Sequence, residues 1–167
     1  MRFKEQHPDS ILLFRMGDFY ELFFDDAPIA AEALDIALTQ RGKHKDHAVP
    51  MCGVPVHSAE GYLQRLIRKG FKVAICEQVE EPSEARKRGP KAIVRREVVR
   101  IVTPATLTED ALLDERTANY LTALSLVAGK LAIAWAEMST GEFAVMDVSL
   151  KSLATTLAQL EPSEILI

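Results

Sequence analysis

The chain has 167 residues, enough for one ordinary domain or two small ones. Hydrophobic residues make up 48% of the chain and charged residues 26%, which excludes a disordered protein. The two cysteines, Cys52 and Cys76, are too few and too far apart for a disulfide framework or a zinc site. The net charge of −4, taken alone, argues against a nucleic-acid-binding protein.

The charge is unevenly distributed along the chain. Residues 1–40 hold 3 basic and 8 acidic residues, residues 41–100 hold 14 and 7, and residues 101–167 hold 3 and 9. A basic block between two acidic flanks is typical of a surface that binds a polyanion. An ordinary solvated surface has a similar charge density, so both interpretations stay open at this point.

The N-terminus lacks the apolar core of a secretory signal. The longest uncharged, apolar-leaning stretch, residues 117–129, has 13 residues and is too short to span a bilayer. The sequence therefore predicts a cytoplasmic protein with reduced thiols and no membrane contact.

The N-terminal part of the chain predicts two strands followed by a helix. Residues 11–16 form an apolar run typical of a buried strand, Gly17-Asp18 predicts a turn, and FYELF predicts the second strand. Helical spacing then covers residues 25–38, with Asp25 or Asp26 as the N-cap.

The middle of the chain predicts a second helix between two irregular regions. Residues 58–70 have an amphipathic pattern that Ser58 starts and Gly70 stops. Further strands are predicted at residues 71–79 and 93–104. Glycine, proline and charged residues interrupt residues 39–57 and 80–92, which therefore predict loops.

A second pattern begins after residue 118. Three apolar strands at residues 119–127, 130–139 and 142–149 are followed by an amphipathic helix and the start of a fourth strand, where the chain stops. We expect a domain at 1–104, a linker at 105–118 and a second domain at 119–167. The second domain has the strand order that opens ribonuclease-H-like folds, and its last strand suggests a fragment of a longer protein. The predicted fold class is α/β, of the α+β type with a mixed sheet in the first domain.

Catalytic and metal sites have little support in this sequence. His44, His47, Cys52 and His57 fit none of the standard spacings of metal ligands, and no glycine-rich phosphate loop is present. Glu137, Glu142 and Asp147 resemble a nuclease carboxylate cluster, but we interpret them as surface carboxylates. We predict no catalytic residue and no metal; a metal-dependent nuclease is a second alternative.

The segment FYELF raises a specific question about Phe19 and Glu21. Residues i and i+2 of a strand share one face, so Phe19 and Glu21 lie opposite Tyr20 and Leu22. Either Phe19 is another core aromatic residue, or it is exposed beside a carboxylate. Periodicity alone favours a core aromatic residue.

Three ordered motifs resemble the bacterial MutS mismatch-recognition family. They are FRMGDFYELFFDDA, PMCGVPVHSAEGYLQRLIRKGFKVAICEQVE and VRREVVRIVTPATLTED, although the last has Ala105 where the family usually has glycine. The resemblance implies a mismatch-recognition domain followed by a truncated connector domain.

The same resemblance implies how the chain would work. Phe19 would be an aromatic wedge that stacks on a mispaired or unpaired base of duplex DNA, and Glu21 would accept a hydrogen bond from that base. Candidate contacts to the DNA backbone are Arg41, Lys43, Lys45, Arg95, Arg96 and Arg100. The family also implies a homodimer, a MutL-type partner at the connector, and an ATPase whose ATP and Mg²⁺ lie outside this chain. The chain itself would then be no enzyme and hold no cofactor. The alternative is a protein-interaction module with a basic surface and no mismatch reading.

Overall fold

The computed structural model describes residues 2–90, 92–107 and 118–167. The chain divides into two compact units, Met1–Val102 and Thr103–Ile167. No helix in the described ranges is long and apolar enough to cross a membrane.

The first unit is built on a six-stranded sheet. Its elements are α1 (Arg2–Gln6), β1 (Ser10–Met16), β2 (Phe19–Phe23), α2 (Asp26–Leu34), β3 (Thr39–His44), β4 (His47–Pro55), α3 (Ala59–Arg68), β5 (Lys72–Gln78), α4 (Pro82–Lys87) and β6 (Arg96–Val102). The strand order in the sheet is β3-β4-β2-β1-β5-β6. Strands β1 and β5 are parallel and the other pairs are antiparallel, which confirms the predicted mixed sheet.

Helices α2 and α3 form the core of this unit against the sheet. Leu22 on β2, Val54 on β4 and Leu66 on α3 are fully buried. The thiol of Cys52 donates a hydrogen bond to the carbonyl of Ala27 at 3.3 Å, which fixes α2 against β4. Burial raises the pKa of this thiol to about 11, so it stays protonated near neutral pH.

Two predicted loops proved to be regular structure. Residues 39–57 contain the hairpin β3–β4, whose turn places Lys45 and Asp46 at φ 49° and 65°. Two successive positive φ values are typical of the type I′ turn, whose twist matches that of paired strands. The predicted charged loop at 80–92 contains α4, which begins at Pro82, a residue favoured in a first helical turn.

The predicted helix at 25–38 ends four residues early. Asp35 adopts the left-handed conformation (φ 55°) and closes α2 by donating to the carbonyls of Ala31 and Glu32. Asp25 occupies the N-cap position without a capping hydrogen bond from its side chain. Asp26 is instead buried in the structure.

The second unit carries a four-stranded sheet. Its elements are β7 (Tyr120–Val127), β8 (Lys130–Glu137), β9 (Glu142–Val148), α5 (Leu150–Leu160) and β10 (Glu164–Leu166). The strand order in the sheet is β10-β7-β8-β9. Ser149 caps α5 through reciprocal hydrogen bonds with Ser152. The predicted order of three antiparallel strands, a helix and a fourth strand is confirmed.

Most of the predicted linker lies outside the described residues. Its described beginning belongs to a short 3-10 turn, Pro104–Thr106, in which the hydroxyls of Thr103 and Thr106 lie 2.9 Å apart. This turn forms with Ala105 in place of the glycine usual in the resembled motif.

Candidate nucleic-acid interface

Strand β2 presents different chemistry on its two faces. Phe19 is 48% exposed, whereas Tyr20 and Leu22 on the other face are buried. Glu21 shares the face of Phe19, and its side chain is 13% exposed. Phe19 is therefore exposed beside a carboxylate, as the wedge role requires, and is not a core aromatic residue.

The exposed ring is carried by an interior strand. Strand β2 is paired on both sides, so that Phe19 lies opposite Met16 of β1 and opposite Pro55 of β4. The amide of Val56 donates to the carbonyl of Asp18 at 2.9 Å, which continues the pairing of β2 with β4 beyond Phe19. A side chain on a fully paired strand is held more rigidly than one on a loop, so Phe19 is positioned before any ligand arrives.

The other face of β2 is fixed by a polar cluster that the sequence did not reveal. The Tyr20 hydroxyl donates to Glu77 on β5, and the guanidinium of Arg15 lies 3.7 Å from Glu77 and 5.6 Å from the centre of the Tyr20 ring. Burial, followed by the hydrogen bond to Glu77, raises the pKa of Tyr20. This cluster holds Tyr20 inward, and the alternation of the strand then keeps Phe19 and Glu21 outward.

Glu21 is held by an arginine from the edge of the sheet. Nη1 of Arg41 on β3 lies 2.5 Å from each carboxylate oxygen of Glu21, and the Arg41 side chain is 52% exposed. The neighbours of Glu21 across the strands are Phe14 on β1 and Gly53 on β4. The carboxylate therefore has an aromatic ring on one side and no side chain on the other.

A second arginine covers Phe14 on this face. The guanidinium of Arg96 lies 5.0 Å from the centre of the Phe14 ring and donates to the carbonyls of Arg15 and Val94, each at 3.0 Å. It also contacts the sulfur of Met16 at 3.3 Å. Phe14, Met16, Phe19 and Glu21 thus lie on the same face of the sheet.

No group of three or more metal-ligating side chains gathers in the described ranges. Cys52 is buried in the core, and the ring of His44 packs edge-on against Phe24 at 5.8 Å. The interpretation of Glu137 as a surface carboxylate was wrong. Glu137 is buried and accepts hydrogen bonds from the Ser139 hydroxyl at 2.8 Å and the Thr140 amide at 2.6 Å, which makes it part of the β8–β9 turn.

Two family models match the chain in sequence order. The model of MutS domain I matches residues 1–111, and that of MutS domain II matches residues 119–167. The chain belongs to the MutS family.

Curated relatives in this family are similar along the whole chain. DNA mismatch repair protein MutS of Ruegeria pomeroyi is 62% identical over 167 residues, and that of Cereibacter sphaeroides is 60% identical over the same length. The Caulobacter vibrioides protein is 59% identical over 164 residues. The chain spans about a fifth of the length of these relatives, 19% of the first two and 18% of the third.

The candidate backbone contacts of this MutS segment lie at the two edges of the first sheet. Arg41, Lys43 and Lys45 belong to β3 and its turn, and Arg95, Arg96 and Arg100 lie at or beside β6. Strand β2 lies between these edges, so basic residues lie on both sides of Phe19. Among these residues, Arg41 is bonded to Glu21 and the guanidinium of Arg96 to backbone carbonyls.

Sequence reasoning missed the Arg41–Glu21 pair because it treated residues 39–57 as a loop. The apolar residues Val49, Cys52 and Val54, which are buried in the structure, were the signal for a strand among the surrounding prolines and glycines. The pair itself depends on register across three strands, which no local pattern specifies.

Proposed function

We propose that this chain recognises mispaired or unpaired bases in duplex DNA, with Phe19 as a stacking wedge and Glu21 as a hydrogen-bond acceptor. The observation that carries the proposal is a half-exposed phenylalanine on a fully paired strand, two residues from a carboxylate on the same face. Membership in the MutS family, whose relatives are named DNA mismatch repair proteins, supports it.

The wedge selects deformable DNA, without reading its sequence. Inserting an apolar side chain between base steps costs a few kcal/mol of unstacking. A mispair is already weakly stacked, so the same insertion costs less there than in a matched duplex. The exposure of Phe19 in the free chain means that no core contact has to be broken before insertion.

Glu21 adds a second requirement. A carboxylate near phosphates is repelled, and a displaced base that offers an N–H donor compensates for this repulsion. A stacked, paired base has its donors engaged and offers no such compensation. Glu21 therefore disfavours matched duplex through repulsion from the phosphates and favours the mispair through a hydrogen bond.

The basic edges of the sheet supply affinity that does not depend on sequence. Lys43 and Lys45 at one edge and Arg95 at the other are exposed, and Arg100 is half-buried. Contacts from such side chains to phosphates position the protein on the duplex but carry no information about the bases.

Several wider properties belong to this proposal through the family alone. They are assembly as a homodimer, a MutL-type partner at residues 119–167, an ATPase with ATP and Mg²⁺ in a part of the protein outside this chain, and a cytoplasmic location. No catalytic residue and no cofactor are proposed within the chain.

The test uses a chimera in which this chain replaces the matching segment of the Ruegeria pomeroyi relative, because the chain spans only 19% of that protein. Phe19→Ala should lower affinity for a mismatched duplex by about tenfold and leave matched duplex nearly unaffected, since base–aromatic stacking contributes about 1–3 kcal/mol. Glu21→Ala should keep or raise affinity for matched duplex and reduce discrimination. Phe143→Ala, which removes a 68% exposed phenylalanine from the second unit, is the control.

If Phe19→Ala and Glu21→Ala both bound the two duplexes as the unsubstituted chimera does, the proposal would be wrong. The basic surface would then favour the protein-interaction module.

A further inference from the structure

We propose that Arg41 sets the specificity of the site by binding Glu21. A mispaired base has to compete with Arg41 for the Glu21 carboxylate, so Arg41 lowers the discrimination between mismatched and matched duplex. This inference rests on the proposed function. It concerns the contact between Nη1 of Arg41 and both oxygens of Glu21 at 2.5 Å.

A β-bulge brings Arg41 to Glu21. Gln40 pairs with Pro50 and Lys43 pairs with Ala48, so Arg41 and Gly42 on β3 lie opposite the single residue Val49. Gly42 has a φ of 68°, in the left-handed region that favours glycine. Bulges of this kind redirect a side chain away from the regular alternation of its strand.

Strand β4, which lies between Arg41 and Glu21, places no side chain beside Glu21. Strand β4 separates β3 from β2, so Arg41 has to reach across two strand spacings, roughly 9–10 Å. The β4 residue opposite Glu21 is Gly53. A Cβ there would lie 3.3 Å from the carbonyl oxygen of Tyr20, which is a tight contact, and 3.7 Å from Cγ of Glu21, so a side chain at this position would occupy the space beside Glu21.

The pair changes what Glu21 presents to DNA. With Arg41 bonded, the carboxylate charge is balanced, and a matched duplex meets less repulsion than it would from an unpaired Glu21. Both carboxylate oxygens already accept from a charged donor, so an N–H of a displaced base competes for the same oxygens. Arg41 thus weakens both the repulsion that disfavours matched DNA and the hydrogen bond that favours a mispair.

Exposure decides which partner moves. The Arg41 side chain is 52% exposed and that of Glu21 only 13%, and Glu21 is on an interior strand whereas Arg41 is on an edge strand. On a mispair, Arg41 moves away from Glu21 into solvent, and the carboxylate stays in place to meet the base. On a matched duplex the pair stays closed.

The experiment measures the ratio of affinities for mismatched and matched duplex in the chimera. Arg41→Ala should raise this ratio about threefold, the size expected when a partly exposed ion pair no longer competes for Glu21. In a Glu21→Ala background, Arg41→Ala should leave the ratio unchanged. Lys43→Ala, a cation on the same strand, is the matched control and should lower both affinities by the same factor. Arg41→Lys, which keeps a positive charge but not the guanidinium, should give an intermediate ratio.

Three results would overturn the inference. The first is an equal loss for both duplexes with Arg41→Ala, as for a plain phosphate contact. The second is a fall in the ratio, and the third is a change in the ratio that persists without Glu21. Thermal unfolding of each variant identifies any that fail to fold, and Arg41→Gln then replaces Arg41→Ala. If Glu21→Ala and Phe19→Ala also leave the ratio unchanged, the proposed function fails; if they change it and Arg41 does not, only the inference about Arg41 fails.

Discussion

Asp26 has a buried carboxylate that joins three elements of the first unit. One of its oxygens accepts the Leu12 amide of β1 at 3.0 Å, and the other lies 2.9 Å from the ammonium group of Lys4 on α1. Asp26 itself is the first residue of α2. Asp26 therefore ties β1, the strand next to β2, to both α2 and α1.

Asp26→Ala should destabilise the first unit by about 1–3 kcal/mol, because it leaves the Leu12 amide without its acceptor in a partly buried position. Urea unfolding of the chain, followed by circular dichroism, measures the loss, and hydrogen exchange at the Leu12 amide locates it. The control is Asp25→Ala, since the side chain of Asp25 makes no capping hydrogen bond and its removal should change stability by less than about 0.5 kcal/mol. Equal effects of the two substitutions would contradict this account.

Single residues of the site were predictable where strand geometry alone decides. The spacing of Phe19 and Glu21 placed them on one face, and the structure agrees. The same reasoning did not identify Asp26 as a buried residue, because a helix-start aspartate is usually a cap exposed to solvent. It did not identify Arg41 as the partner of Glu21 either, because that contact depends on a bulge two strands away.

The β8–β9 turn shows how a buried carboxylate can build an element of the second unit. Hydrogen bonds from Thr140 and Ser139 lower the pKa of Glu137. The ionised carboxylate is thus favoured in the folded chain. Stability from this group is present above the ordinary pKa of a glutamate and is lost as the pH falls through the lowered pKa of the folded state.

Glu137→Gln should therefore flatten the fall in stability of the second unit as the pH decreases from about 7 to about 3. The chain has one tryptophan, Trp135 on β8, so its fluorescence during urea unfolding reports on this unit directly. The quantity to compare is the difference between the two proteins at each pH, since other carboxylates titrate in both. A difference that stays constant over this range would contradict the role given to Glu137.

Elements with strong periodicity were predicted well, and elements that depend on partners were not. Strands β1, β2 and β5 and helices α3 and α5 have clear apolar patterns. Strand β3 is exposed at every residue and carries no such pattern, so only its pairing with β4 makes it a strand. The short helices α1 and α4, of five and six residues, are below the length at which sequence periodicity becomes visible.

At the scale of the whole molecule, the sheet of the first unit places part of the central basic block at its two edges: Arg41, Lys43 and Lys45 at one, and Arg95, Arg96 and Arg100 at the other. The net charge of −4 hides this arrangement, because the acidic residues lie mainly before residue 41 and after residue 100. The predicted domain limits, 1–104, 105–118 and 119–167, stay a prediction, although the contacts divide the chain after Val102.

The affinity of the chimera for duplex DNA should fall steeply as salt increases, because each neutralised phosphate releases counterions. Lys43→Ala should reduce the slope of log affinity against log salt by about one. The control is Lys69→Ala, which removes an exposed cation at the end of α3, among the helices that cover the opposite face of the sheet. A slope that neither substitution alters, or that Lys69→Ala alters equally, would mean that the sheet edge does not contact phosphates.

The most direct test of the central claim is the fluorescence of 2-aminopurine placed next to a mispaired base while the chimera is titrated onto the duplex. If Phe19 inserts at the mispair, neighbouring bases unstack and the fluorescence should rise on binding. The rise should be lost with Phe19→Ala at protein concentrations that still saturate the duplex, and kept with Phe143→Ala. The same rise with Phe19→Ala as with the unsubstituted chimera would show that another group opens the stack, and would contradict the account.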